Sequence, residues 1–232
     1  MRRGATAYPH LHVVWHDQGM VNLTKIYTRT GDDGSTALGD NGRTRKTDPR
    51  LVAYADTDET NSVIGVALAS GNLPLEVRET LTRIQNDLFD VGADLCMPVK
   101  ESYEWEPLRV KAEWIDELEA DCDHYNEGLA NLRSFILPGG TPGSAHLHVA
   151  RTVARRAERS AWEALETYGD QPAGAGAGKG EGGVNPLAAK YLNRLSDLLF
   201  ILGRVANQAG EGDVLWQPGG GREQAPEKRR KG

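Results

Sequence analysis

Only two cysteines, Cys96 and Cys122, occur in 232 residues, and neither sits in a CxxC or histidine-rich ligand spacing. That scarcity excludes a disulfide framework and a structural zinc site. Long apolar runs are missing as well. Stretches such as Leu198 to Leu202 fall far short of the roughly 20 residues needed to cross hydrocarbon, so no membrane span is expected. A surplus of positive charge is also lacking: the formal net charge is -6, which argues against a nucleic-acid partner, because phosphate neutralisation needs concentrated Lys and Arg. Residues 1–19 have no charged start followed by a continuous apolar segment and a small-residue cleavage site. No secretory signal is therefore expected, and the cytoplasm is the expected location.

What the chain does have is an ordinary globular composition, 26% charged and 39% hydrophobic, at a length that favours one domain. Residues 1–21 read as a disordered extension. Residues 22–47 are rich in Thr, Gly, Asp, Arg and Lys without an apolar period, which predicts an extended polar arm. Asp48-Pro49 then supplies a capping side chain followed by proline at the first helical position. Periodic apolar residues predict helices over about 49–70, 75–96, 108–125, 142–168 and 186–208. Leu192, Leu195, Leu199 and Leu202 form the seam of a packed bundle. Residues 169–183, mostly Gly and Ala, predict a flexible insert, and 217–232 a disordered tail. The expected fold is all-α, a five-helix bundle in a single domain over 22–216.

Five segments carry candidate chemistry. The arm runs from Thr24 through Arg29, Gly31 and Gly34 to Thr36, with Lys25 and Lys46 beside it. Glycines let backbone N–H groups approach an anion and hydroxyls donate to phosphate oxygens. This is not a P-loop, since no Lys follows the second Gly, and a loop solvated by its own polar residues fits equally well. The fourth helix places Arg151, Arg155 and Arg159 at i, i+4 and i+8 along one stripe, with Val153, Ala157 and Ala161 on another face. Like charges at that spacing repel, so the stripe faces either polyphosphate or the carboxylates of a neighbouring element. Asp56, Asp58, Glu59 and Asn61 on the first helix offer such carboxylates or simply form its polar side. On the fifth helix, Asn193 suits a ligand, whereas Arg194 and Asp197 suit an intrahelical pair. Phe135 precedes Ile136-Leu137-Pro138-Gly139-Gly140; taken alone, a loop phenylalanine caps a core.

Together, Lys25 to Asp32, Phe135 to Gly140, Arg151 to Arg159 and Tyr191 to Asp197 resemble the PduO-type corrinoid adenosyltransferases, over a span from about Thr24 to Trp216. The resemblance implies a homotrimer of five-helix bundles that moves the 5′-deoxyadenosyl group of ATP onto the cobalt of cob(I)alamin, with Mg2+ carried by ATP rather than by a protein ligand cluster. It implies ATP contacts at Thr28, Arg29, Thr30, Gly31, Thr36, Ala37, Lys46, Arg155, Arg156, Glu158, Arg159 and Asn193. By the same resemblance Arg155 is catalytic, Phe135 blocks the lower corrin face and frees cobalt from its axial base, and Asp58 with Arg151 forms a salt bridge between subunits. A reductase for cob(II)alamin and an acceptor enzyme dependent on adenosylcobalamin are the further partners it implies. A ferritin-like di-iron bundle is excluded: no Glu-x-x-His pair exists, and His146 and His148, two apart, point to different sides of a helix. A protein that only holds and delivers ATP or adenosylcobalamin is the other reading.

Overall fold

Helix starts are set by side chains that replace missing backbone partners. In the computed structural model, which describes residues 13–15, 21–23, 27 and 29–220, Asp48 accepts from the Arg50 N–H and opens α1 (Pro49–Ser70). Thr141 accepts from the Ser144 N–H and opens α4 (Pro142–Tyr168). Asn185 does the same for Leu187 and opens α5 (Pro186–Asn207). Between them lie α2 (Leu75–Leu95) and α3 (Ala112–Glu127). The third helix begins four residues later than its apolar pattern predicts, for a local reason. The buried Asp94 carboxylate accepts from the Val110 N–H at 2.7 Å and from Arg109 Nη1, which holds 109–110 out of helical order.

Four short strands precede the bundle, in two antiparallel hairpins that sequence patterning did not predict. The strands β1 (Val13–Trp15) and β2 (Val21–Leu23) pair with each other, as do β3 (Ser35–Ala37) and β4 (Arg43–Arg45). Most of the expected extension and tail, residues 1–12, 16–20 and 221–232, lies outside the described residues.

In the bundle, α4 packs between α1 and α5, with α2 against α1 and α3 against α5. The buried face of α4 is built from small residues, Ala150, Ala154, Ala157, Ala161 and Ala164, and α5 answers with Leu192, Leu195, Leu199 and Leu202. Small side chains let helix backbones approach closely, and the leucines fill the grooves they leave.

The polar arm is fastened to this bundle at one buried ion pair. Asp48 and Arg50 are almost fully buried, their side chains meeting at 3.1 Å. Thr44 and Tyr168 also donate to Asp48, and Arg50 reaches the Gly180 carbonyl and lies 3.8 Å over the Tyr168 ring. Composition predicts flexibility for 169–183; the structure holds that segment against the arm instead. Asp40 accepts from Lys100 Nζ and the Gly180 N–H, and a side chain at Gly42 would collide with Gly180.

Burial alone would raise the Asp48 carboxyl, but hydrogen bonds from Arg50, Thr44 and Tyr168 outweigh it and hold the group down at about 2. An unfolded aspartate titrates near ~3.9. The folded value is the lower one, so Asp48 contributes stability above about pH 4 that is lost as the pH falls toward 2. Asp48→Ala is expected to lower unfolding stability by about 2–3 kcal/mol at pH 7, from the lost cap and orphaned Arg50. Urea titrations at pH 7 and near pH 2 check this; a wild-type advantage of equal size at both would refute it.

Candidate nucleotide and corrinoid site

Because α4 turns its alanine face inward, Arg155 and Arg159 fall on the outer side, while Glu158 is buried at the contact with α5. Arg155 is half-exposed, and among the described residues the one carboxylate it meets is Glu158, at 3.6 Å. Arg159 donates to the Arg155 carbonyl rather than to a carboxylate. Arg151 is partly buried, and its Nε is buried without a hydrogen bond. Burial and the neighbouring Arg155 charge push the Arg151 guanidinium down from its ordinary value. Arg156 differs from the other three, pairing with Asp56 and Glu59 of α1. Part of the acidic group on α1 is thereby used within the chain, while Asp58 stays exposed and no Asp58–Arg151 ion pair forms among the described residues. The Arg194–Asp197 pair forms at 2.7 Å, with Glu119 of α3 as a second partner.

Across the α4–α5 contact, Glu158 is buried and accepts a hydrogen bond from Asn193 Nδ2 at 2.8 Å. Arg155, Glu158, Arg159 and Asn193 thus form one surface.

The arm forms a second group. Thr36 and Ala37 lie on β3, opposite Thr44 and Arg43. Gly31 sits so close to Lys46 that a Cβ there would lie 3.2 Å from Nζ, and Arg43 donates to the Thr30 carbonyl at 3.0 Å. Arg29 is exposed, with a positive φ of 61° and its guanidinium 5.8 Å from the Tyr27 ring centroid. Thr28 lies outside the described residues. Among those residues no hydrogen bond or ion pair joins the arm to the arginine stripe of the same chain.

Phe135 forms the third group. It does not cap the core: it is 78% exposed. Its segment runs antiparallel to the chain after α5, with Ile136 bridged to Leu215, Leu137 N–H donating to Val214 and Trp216 N–H donating to Phe135. The Trp216 ring stands edge-on to Phe135 at 6.0 Å. Leu137, Val214, Leu215 and Trp216, each about half-exposed, line an adjoining cavity of about 640 Å³. The strap is fixed by Arg204, which pairs with Asp213 at 2.8 Å and donates to the Ala130 carbonyl, and by Asn207, which accepts from the Thr141 N–H and donates to the Gly139 carbonyl. Sequence reasoning missed Arg204, Asn207, Asp213 and Trp216. The one local signal was a tryptophan in a Gly-rich, charged stretch.

A helical bundle that displays an arginine surface, a Gly/Thr-rich arm and an exposed aromatic loop defines a class, and comparison with known proteins names it. Residues 26–206 match the cobalamin adenosyltransferase family, and the chain belongs to it. It is 58% identical over 202 residues to a corrinoid adenosyltransferase of Mycobacterium tuberculosis, covering 87% of this chain and 97% of that one. It is 47% identical over 196 residues to a cobalamin adenosyltransferase of Cupriavidus metallidurans, covering 84% and 95%. Among solved structures it resembles a phenylalanine-to-alanine variant of the PduO-type ATP:corrinoid adenosyltransferase from Lactobacillus reuteri complexed with cobalamin and ATP, with a TM-score of 0.71, 33% identity, and coverage of 83% and 99%.

The loop under Phe135 depends on Gly140, whose φ is 98° and whose Cβ, if present, would overlap Asn207 Oδ1. Gly140→Ala is therefore expected to destabilise the fold by about 2–4 kcal/mol through backbone strain and the displaced Asn207. Denaturant unfolding reads this out; a shift below about 0.5 kcal/mol would contradict the tight packing.

Proposed function

We propose that the chain transfers the 5′-deoxyadenosyl group of ATP to the cobalt of cob(I)alamin, releasing triphosphate and forming adenosylcobalamin for corrinoid biosynthesis or salvage. The observation that carries this reading is the α4 surface: Arg155 and Arg159 stand outward, next to Asn193, and among the described residues Glu158 is the one carboxylate near them, 3.6 Å from Arg155. Such a surface fits a polyanionic leaving group.

In the reaction, the cobalt lone pair forms a bond to C5′ of ATP, the C5′–O bond breaks, and triphosphate leaves with that electron pair. No side chain need be the nucleophile. The protein aligns cobalt with C5′ and stabilises the charge growing on triphosphate, and Arg155 is the residue placed for that task. In this reading Mg2+ arrives with the nucleotide and would neutralise part of its charge. Phe135, exposed on a strapped loop beside the cavity lined by Leu137, Leu215 and Trp216, suits the lower corrin face, where displacing an axial donor eases reduction of Co(II) to Co(I).

Homotrimer formation is part of this reading. Among the described residues no ion pair joins the arm to the stripe, Asp58 is exposed and no carboxylate pairs with Arg151, and in this reading a neighbouring subunit would bring the arm to the stripe and Asp58 to Arg151. No described helix is long and apolar enough to cross a membrane. We place the reaction in the cytoplasm, with a cob(II)alamin reductase as a further partner. An acceptor enzyme that uses adenosylcobalamin completes the set of partners.

Anaerobic assays with Mg-ATP test the reading. Wild type is expected to convert cob(I)alamin to equimolar adenosylcobalamin and triphosphate, and Arg155→Ala to lose at least about 100-fold in kcat, or ~2.7 kcal/mol of barrier. Phe135→Ala is expected to slow turnover from cob(II)alamin and reductant far more than turnover from cob(I)alamin prepared beforehand. Binding of both substrates by wild type without turnover would instead support a delivery protein.

A further inference from the structure

Glu158 is an unusual member of the arginine helix. It is 8% exposed, and its two oxygens have different surroundings. Oε1 accepts from Asn193 Nδ2 at 2.8 Å; Oε2 is buried, makes no hydrogen bond, and lies 3.6 Å from Arg155 Nη1. An ionised carboxylate accepts and does not donate, so the amide nitrogen of Asn193, not its oxygen, must face Glu158. That contact fixes the polarity of the amide. With Nδ2 against Glu158, Asn193 is left with Oδ1, which accepts no hydrogen bond among the described residues, and with the second Nδ2 hydrogen. An amide that offers an acceptor next to a donor complements a nucleoside edge, as asparagine does with adenine. A triphosphate, which offers acceptors only, has no use for Oδ1.

We infer that Glu158 is a positioning residue that turns Asn193 Oδ1 toward the nucleotide, so that the α4–α5 contact selects a nucleoside hydrogen-bond donor rather than adding a further triphosphate contact. The inference rests on the reading that Asn193 borders the nucleotide. The donors ATP offers there are the exocyclic amine of adenine and the ribose hydroxyls. Glu158 thereby holds Asn193 on one side and restrains Arg155 on the other, linking nucleoside choice to the residue placed on the leaving group.

Three analogues separate the donors: ITP lacks the amine, and 2′-deoxyATP and 3′-deoxyATP each lack one hydroxyl. Wild-type kcat/KM is expected to fall at least about tenfold for one of them relative to ATP, mainly through KM. In Glu158→Leu and in Asn193→Ala that ratio is expected to collapse to within about twofold, and the double variant to add nothing to either. Should Glu158→Leu melt early, Glu158→Gln keeps the shape but can donate as well as accept, so its ratio is expected to fall as well. Equal use of all three analogues by wild type, or rate losses in the Glu158 variants that leave every ratio unchanged, would overturn the inference. If Asn193→Ala handled ATP as wild type does, the placement of Asn193 at the nucleotide would fail first.

Discussion

The structure depends on how α4 is buried. Its alanine face is pressed between α1 and α5, and this contact leaves no inward room for Arg151, Arg155 and Arg159. Once the helix phase is fixed, three guanidinium groups must share one outward stripe, where they repel one another. Had the stripe been only a solvated surface, carboxylates on α1 would be the natural partners. Two of them, Asp56 and Glu59, pair instead with Arg156, one position out of phase with the stripe, while Arg155 has one carboxylate at 3.6 Å and Arg159 a backbone carbonyl. Positive charge left unmatched on a rigid helix is preorganised for an anion, because little reorganisation is needed when the anion arrives.

Two other features act on that surface from a distance. The arm is tethered through the buried Asp48–Arg50 pair, which also gathers the end of α4 and the Gly-rich segment. The aromatic loop is tethered through Arg204 and Asn207, which tie the chain after α5 to the loop before α4. Both tethers lie on long helices, so the positions of arm and loop follow from the bundle. In the trimer we propose, the arm would serve a neighbour's stripe and not its own.

Much of this was legible in the sequence because it is local. Asp48-Pro49, Thr141-Pro142 and Asn185-Pro186 mark helix starts within one residue, and the i, i+4, i+8 spacing of the arginines is enough to put them on one stripe. The delayed start of α3 was not legible, since it comes from Asp94, some 16 residues earlier, capturing the Val110 N–H. Nor was the packing of 169–183 onto the arm: glycine composition reads as flexibility, whereas the close approaches of Gly180 to Gly42 and of Gly182 to Val99 give those glycines a steric purpose. Phe135 read alone as a core residue; its exposure follows from pairing with a segment 80 residues later, which no local pattern encodes.

The most direct test of the central claim is equilibrium binding of inorganic tripolyphosphate to the protein without corrinoid, with ATP as competitor, over a range of salt concentrations. If the stripe is an anion site, tripolyphosphate binds, competes with ATP, weakens steeply with salt, and loses most of its affinity when Arg155 and Arg159 are both replaced by alanine. If ATP binds but tripolyphosphate does not, or if the double replacement changes neither affinity nor salt dependence, the outward arginines are a solvated surface and the account is wrong.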